Sequence, residues 1–313
     1  MLNALTSSKT IVRFTLSDVL KRASFKGVRT LMDDNTYIHP KKGFLTLLIE
    51  AICNSNGLRA IRRVLFSFIP FIKLESSVVN IVYCNWLVDI DKVNHLFPDQ
   101  ASLININGKT VLSVLTYKHE NFRPSILNPI KALFPSPLQS NWRLYVSSLN
   151  GKNSKGAVFF IKNIMNNLLF TVGTRLSSDA MLTHYPKAFK HGSESEKFIT
   201  EISPGLGSSP DLLMEATQAD QLELPNELIE HFKSQDAALE YLCIQEIAYT
   251  EATDVKGLCK AEIELPIDTN TVVPLKVESI SSLYLSEITE NAKPFAFLVP
   301  KVHFGIIGET IVN

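Results

Sequence analysis

The stretch NWRLYVSSLNGKNSKGAVFFI, residues 141–161, decides the fold. Arg143–Leu149 and Ala157–Ile161 carry the β-branched, aromatic and large apolar residues that favour strands. Asn150-Gly151 and the polar residues after them have the composition of a tight turn. The stretch therefore predicts two adjacent strands joined by a short connection.

The first of these strands carries an unusual row of polar side chains. Successive side chains of a strand point to opposite faces, so Asn141, Arg143 and Tyr145 share one face. Polar groups on an inward face are costly to bury without partners. Two explanations stay open. The row lines a wet, substrate-binding cavity, or Arg143 faces inward and pairs with a carboxylate, for which Glu120 and Glu262 are the best candidates.

The same strand period governs the chain from Ser76 onward. Asn107-Gly108 is a strong hairpin signal, and it predicts that Thr110–Tyr117 pairs with the segment just before the turn. Residues 191–222 are polar and are predicted to form a long loop or an irregular excursion. The other predicted strands are Val78–Tyr83, Leu103–Ile106, Leu258–Leu265 and Val302–Ile307. The predicted helices are Asp89–Leu96, Leu168–Met181, Asn226–Leu242 and one near Ser279–Ile288.

Residues 1–75 have a helical period instead, and they form a predicted N-terminal helical extension to a β-rich domain of residues 76–313. Its helices are expected at Thr15–Phe25, Phe44–Asn54 and Leu58–Phe68. We expect Phe44–Phe68 to fold as a hairpin and to bury its apolar face on the β domain or on a second subunit. This arrangement is favoured over an interfacial membrane helix.

Composition excludes several classes of protein. The 313 residues include 31 basic and 31 acidic side chains, so no basic field is present to recruit nucleic acid. The four cysteines are scattered, with no metal-type spacing, which indicates free thiols in a reducing compartment. The N-terminal sequence lacks the apolar core of a secretory signal. A cytoplasmic protein without a metal or cofactor is expected.

Two further clusters contain candidate site residues. The segment YKHENFRP, residues 117–124, ends a strand and brings His119, Glu120 and Arg123 close together, either as a solvated strand end or as the lip of a pocket. The segment HYPKAF, residues 184–189, contains Lys187 just beyond a helix.

Several blocks together resemble the YqjF-like family of the acetoacetate decarboxylase-like superfamily. The blocks are Tyr83–Pro98, the string Asn141-x-Arg143-x-Tyr145-Val146, Gly156–Phe160 and Leu298–Phe304, and the resemblance covers residues 76–313. It implies an α+β fold that is mainly β, with a strongly curved antiparallel sheet closing into a cone or barrel and helices packed outside. It also implies an internal pocket.

The resemblance bears on the candidate site residues. Acetoacetate decarboxylases carry a Tyr/Phe-Pro-Lys-Lys string with a Schiff-base lysine and a second cation, whereas here Tyr185-Pro186-Lys187 is followed by Ala188. The residue that would depress the pKa of the Lys187 amine is absent. We expect Lys187 to be exposed. The candidate catalytic residues of lyase or decarboxylase-like chemistry are Lys187 and Glu120. The candidate substrate-binding residues are Asn141, Arg143, Tyr145, His119 and Arg123.

Three functions compete. The first is a protein that binds or acts on a small carbonyl or carboxylate metabolite in an internal pocket. The second is a non-catalytic ligand sensor or assembly protein that docks through its N-terminal helices. A membrane-associated protein held by Phe44–Ile72 is the least favoured. A small-molecule partner is expected, no nucleic acid is expected, and homo-oligomerisation is left open.

Overall fold

The structure is a computed structural model that describes residues 35–312 apart from residues 70, 195, 253, 256 and 291. The predicted helix Thr15–Phe25 lies outside the described residues. The described chain begins with two helices, α1 (Phe44–Cys53) and α2 (Asn56–Phe66). The Ser55 hydroxyl accepts a hydrogen bond from the Leu58 amide and caps α2. The break predicted between the two helices is confirmed.

The remainder is mainly β. The strands up to residue 165 are β1 (Leu74–Asp89), β2 (Ala101–Leu103), β3 (Lys109–Pro124), β4 (Leu138–Leu149) and β5 (Lys152–Met165). The later strands are β6 (Thr183–His184), β7 (Ala188–Glu194), β8 (Lys197–Ser203), β9 (Leu212–Gln218), β10 (Ile247–Glu251), β11 (Leu258–Glu264), β12 (Val273–Ser281) and β13 (Phe295–Val312). The helices between them are α3 (Ile90–Val93), α4 (Leu168–Ser177), α5 (Asn226–Phe232), α6 (Gln235–Cys243) and α7 (Leu283–Ser286).

Seven strands pair into a closed ring in the order β1, β3, β4, β5, β10, β11 and β13, because β1 pairs with both β3 and β13. All pairings in this strand ring are antiparallel except that of β5 with β10. The prediction of a mainly β fold, with helices and a mainly antiparallel sheet, is confirmed. The ring is not evenly barrel-shaped, so the prediction of a cone or barrel is confirmed only in part.

Strands β12, β9, β8 and β7 continue from β13 and cover the outer face of the ring. Trp142 and Leu144 of β4 pack outward against residues such as Met214 of this layer. Tyr145 points to the opposite, interior cluster. The alternation predicted along β4 therefore separates two cores, one inside the ring and one between the ring and the covering strands.

The loop predicted over residues 191–222 is wrong, because most of it lies in β7, β8 and β9. These strands look polar in sequence because they form the outer layer, and the side chains that alternate with the buried ones in β8 and β9 are partly or fully exposed. The Asn107-Gly108 turn does form, with positive φ at both residues. The predicted hairpin is nevertheless wrong beyond the turn. β3 is paired with β1 and β4 on its two edges, so the preceding segment pairs with β4 instead.

Two of the predicted helices also differ from the structure. The helix predicted over Asn226–Leu242 is two helices, α5 and α6, because Lys233 between them adopts a left-handed conformation with φ of 72°. The helix predicted near Ser279–Ile288 is the end of β12 followed by the single turn α7.

The N-terminal helices pack on the rest of the chain through arginines rather than through apolar side chains. Arg63 donates to Asp179 and Asp254 at 2.7–2.8 Å, and Arg62 donates to Asp179 at 2.5 Å. Phe44 and Phe68 are 84% and 83% exposed. The expectation that the apolar face is buried on the β domain is therefore wrong, because buried carboxylates attract the arginine face. None of the helices that the structure describes is long and apolar enough to cross a membrane.

Candidate functional site

The polar row of β4 lies inside the strand ring. Arg143 is 4% exposed and is flanked in the sheet by Ser113 of β3 and Phe160 of β5. Asn141 and Arg143 line the same small internal cavity, and the Tyr145 hydroxyl lies within hydrogen-bonding distance of the guanidinium. The structure thus brings these three predicted residues together.

The contacts of Arg143 are made to neutral groups. Its Nη2 atom donates to the Tyr145 hydroxyl and to the Leu242 carbonyl oxygen, both at 3.2 Å. The guanidinium carbon lies 5.3 Å from the ring centroid of Tyr145 and 5.5 Å from that of Tyr83. Its Nε atom is buried without a hydrogen-bond partner. Within the described residues, no carboxylate pairs with this cation.

The predicted partners of Arg143 lie elsewhere. Glu120 forms an ion pair with Lys301 at 2.7 Å on the surface, and Glu262 pairs with Lys260 at 3.0 Å. The predicted Arg143 carboxylate pair is therefore wrong. Glu120 sits near the end of β3, opposite Ser77 of β1, and is part-exposed, whereas Arg143 points into the ring.

The charge of Arg143 remains costly to bury in this position. Burial alone works to lower the pKa of Arg143, but the neighbouring Tyr145 and Tyr83 hydroxyls raise it, and the net shift is upward. The guanidinium is therefore positively charged at neutral pH. An ion removed from water without a counter-ion carries a penalty of several kcal/mol. The last carbonyl groups of α6 offset part of it, since a helix C-terminus carries a partial negative charge.

A buried polar network surrounds the arginine. The Tyr145 hydroxyl donates to the Leu242 carbonyl oxygen at 2.9 Å. The Ser113 hydroxyl lies 3.2 Å from the Tyr145 hydroxyl and 2.5 Å from Asn85 Oδ1. On the other side, the Tyr117 hydroxyl donates to Asn141 Oδ1 at 2.5 Å. These bonds hold the side chains around Arg143 in fixed positions.

Two small cavities adjoin within the ring, and Tyr117, Asn141 and Phe160 line both. The first has a volume of about 30 Å³ and is bordered by Arg143, Asn141 and Gln245, whose Oε1 atom is buried without a partner. The second has about 20 Å³ and mostly apolar walls. Its further lining residues are Gln139, Ala180, Met181, Ala261, Ile263, Phe304 and Ile306.

The remaining predicted residues do not line these cavities. His119 is buried between Ser76 and Gln139, with its ring stacked on Phe122. Burial lowers the pKa of His119 to about 4, so the ring is neutral at physiological pH. Arg123 is buried at the end of β3, where it pairs with Glu75 at 3.0 Å.

Lys187 is exposed, as expected from the sequence. Its aliphatic stem lies against Gly205, and its amide donates to the Ser203 carbonyl oxygen. It therefore lies in the covering layer of strands, outside both cavities.

Sequence reasoning missed several residues of the site. Tyr83, Gln245 and the Leu242 carbonyl come from β1 and from the end of α6, which are far from β4 in sequence. Only the aromatic character of Tyr83 in a strand could have signalled its position. In the part of the chain that the structure describes, no group of three or more metal-ligating side chains is found.

The fold is shared with a class of solved structures. An acetoacetate decarboxylase from Legionella pneumophila superposes with a TM-score of 0.52 at 10% identity, over 77% of this chain and 87% of that one. The enduracididine biosynthesis enzyme MppR in complex with pyruvate gives 0.52 at 8% identity, over 78% and 91%. These similarities show an acetoacetate decarboxylase-like fold.

The sequence profile of DUF2071, described as an uncharacterized conserved protein, matches residues 77–302. The chain belongs to this family, and the YqjF-like resemblance is confirmed. No curated protein matches the chain.

Proposed function

We propose that the protein binds a small carboxylate metabolite inside the strand ring, with the anionic group against Arg143. One observation carries the proposal: a buried guanidinium whose Nε atom has no partner and which no carboxylate neutralises among the described residues. A bound anion would supply the missing counter-charge and the missing acceptor.

The two cavities define the shape of the ligand. A carboxylate would lie beside Arg143, Asn141 and Gln245, and a carbonyl or short apolar tail would extend between Phe160 and Met181. The cavities, of about 30 and 20 Å³, are small and adjoin through shared lining residues, so a ligand that occupies both has to be compact. The ligand is therefore an acid of very few carbon atoms. The pyruvate complex of MppR is a precedent for such a ligand in this fold.

Binding is favoured over Schiff-base catalysis. Among the described residues, neither cavity is lined by a lysine or a carboxylate that could serve as nucleophile or general acid. Lys187 is exposed and lines neither cavity. The ligand-sensing alternative therefore explains the site better than decarboxylase-like chemistry.

A thermal-shift series tests the proposal. Pyruvate, acetoacetate and acetate are titrated against the protein, with acetone as a neutral control of similar size. A carboxylate at 100 times its dissociation constant should add about 2.7 kcal/mol of stability. The stabilisation should disappear in Arg143→Met. It should persist in Arg123→Met, which removes a buried arginine outside the cavities. Stabilisation by acetone alone, or equal stabilisation of Arg143→Met, would refute the proposal.

A further inference from the structure

The N-terminal helices leave a large apolar surface uncovered. Of the 24 large apolar side chains that are exposed among the described residues, 13 lie between Phe44 and Ile72. Three more, Ile126, Ile130 and Leu133, lie in the 3₁₀ segment Ser125–Leu133, whose first amide donates to the Lys73 carbonyl oxygen. We call these two groups together the helical patch. Soluble surfaces rarely expose so many neighbouring apolar groups without a partner.

The orientation of α2 shows that this exposure is built into the fold. Arg59 is buried, and Arg62 and Arg63 reach the carboxylates of Asp179 and Asp254. These contacts fix the polar side of the helix against the rest of the protein. The side bearing Ile61, Val64 and Leu65 consequently faces outward, and Phe68, just beyond the helix, is exposed as well.

Four exposed lysines lie in or beside the helical patch, whereas Glu75, close to Lys73, is paired with Arg123. Lys41 and Lys42 precede α1, Lys73 follows the patch, and Lys131 lies within the 3₁₀ segment, and all four are exposed. The single acidic residue of 41–73 is Glu50, which accepts a hydrogen bond from the His39 amide. The patch is therefore an apolar surface with a basic rim.

We propose that the helical patch docks the protein on an anionic membrane surface, with the apolar side chains entering the lipid and the lysines meeting the headgroups. Apolar insertion combined with basic residues is the chemistry of peripheral membrane binding. This inference goes beyond the Arg143 site and does not depend on it. Sequence alone makes membrane association the least favoured of the three candidate functions, and the exposed patch is the reason for proposing it now.

The charges disfavour the two other occupants of this surface. A second copy of the chain would bring its lysine rim toward the same rim of the first copy, and like charges repel. Residues 1–34 contain six basic and three acidic side chains, so their net charge also has the sign of the rim. An anionic lipid surface is complementary to both.

A groove beside the patch supports lipid contact. Its volume is about 480 Å³, and Phe66, Ile69, Phe71 and Ile72 of the patch line it together with Ile311 of β13. The charged residues Arg62, Arg63, Asp179 and Glu309 line it as well, and these arginines are paired with Asp179. The apolar part of the groove, next to the patch, can accept the end of an inserted acyl chain.

Vesicle flotation with the full chain tests the proposal. Vesicles of phosphatidylcholine alone are compared with vesicles containing roughly 30% phosphatidylserine. The anionic lipid gives the second kind a negative surface potential like that of a cytoplasmic leaflet. We expect the protein to float with the anionic vesicles and to be released by salt. Phe44→Ser with Phe68→Ser should weaken binding by at least about tenfold, because each phenylalanine is exposed and buries apolar area only on docking.

Two controls make the result specific. Leu283→Ser removes an exposed leucine outside the patch and should leave flotation unchanged. Lys41→Glu with Lys42→Glu should reduce binding to the anionic vesicles by more than about tenfold, since each basic residue near such a surface contributes roughly fivefold. Two outcomes would overturn the proposal. One is a monomer that floats with neither vesicle. The other is a dimer that Phe44→Ser with Phe68→Ser converts to monomer without any vesicle binding.

Discussion

Replacing Arg143 with methionine distinguishes two roles of this side chain. In the first it binds an anion, and in the second it stabilises the fold. The substitution removes a buried charge and two hydrogen bonds of 3.2 Å, but the 2.9 Å bond between the Tyr145 hydroxyl and the Leu242 carbonyl oxygen remains. Replacing buried ionic groups with apolar residues of similar volume is often neutral or stabilises proteins by about 1–4 kcal/mol, and Arg143 has no carboxylate partner among the described residues that would be left unpaired. We expect the free energy of unfolding of the ligand-free protein to rise within this range.

The assay is urea unfolding of both proteins in a buffer free of carboxylates, followed by the same measurement with added pyruvate. Arg143→Met should be the more stable protein without ligand, and only the parent protein should gain stability from pyruvate. An arginine paired with a carboxylate would behave in the opposite way, since breaking a buried pair costs about 3–5 kcal/mol. A loss of that size would refute the reasoning.

Three further predictions concern other parts of the molecule. Burial lowers the pKa of His119 to about 4, below its value of about 6.5 in the unfolded chain. The unfolded state therefore binds more protons in this range, and stability should fall from pH 6.5 to pH 4 by up to about 3 kcal/mol through this residue. Urea titrations should show a smaller loss in His119→Gln and an unchanged loss in the exposed control His303→Gln. Asp179→Asn should destabilise the protein by about 3 kcal/mol and expose the N-terminal helices to limited proteolysis, because Asp179 holds two arginines, whereas the exposed control Glu278→Gln should not. Borohydride reduction with acetoacetate should leave no adduct on Lys187 by mass spectrometry, and a stoichiometric adduct there would establish Schiff-base chemistry.

Local patterns predicted the strands and turns well where the signal was short-range. The alternation along residues 141–146 correctly separates the interior and outer faces, and Asn150-Gly151 does join β4 to β5 with positive φ at both residues. The break before α2 follows from Ser55, whose hydroxyl caps the helix. In each of these cases the deciding contacts lie within a few residues of one another.

Features that depend on distant partners could not be read from the sequence. Arg143 meets a carbonyl 99 residues away rather than a carboxylate, and no local pattern encodes that distance. The same reason explains why β7, β8 and β9 looked like a loop: their burial comes from packing on the ring. It also explains the helical patch, because Asp179 and Asp254 decide which side of α2 faces inward.

A bromide soak of crystals tests the central claim most directly. Bromide is a monatomic anion, so it tests for a counter-ion in the cavity of about 30 Å³ beside Arg143 without needing room for a carbon chain. Anomalous diffraction at the bromine edge should show a peak next to Arg143 Nε in the parent protein and none in Arg143→Met. Bromide found only at surface lysines of the parent protein, with neutral water beside Arg143, would contradict the account.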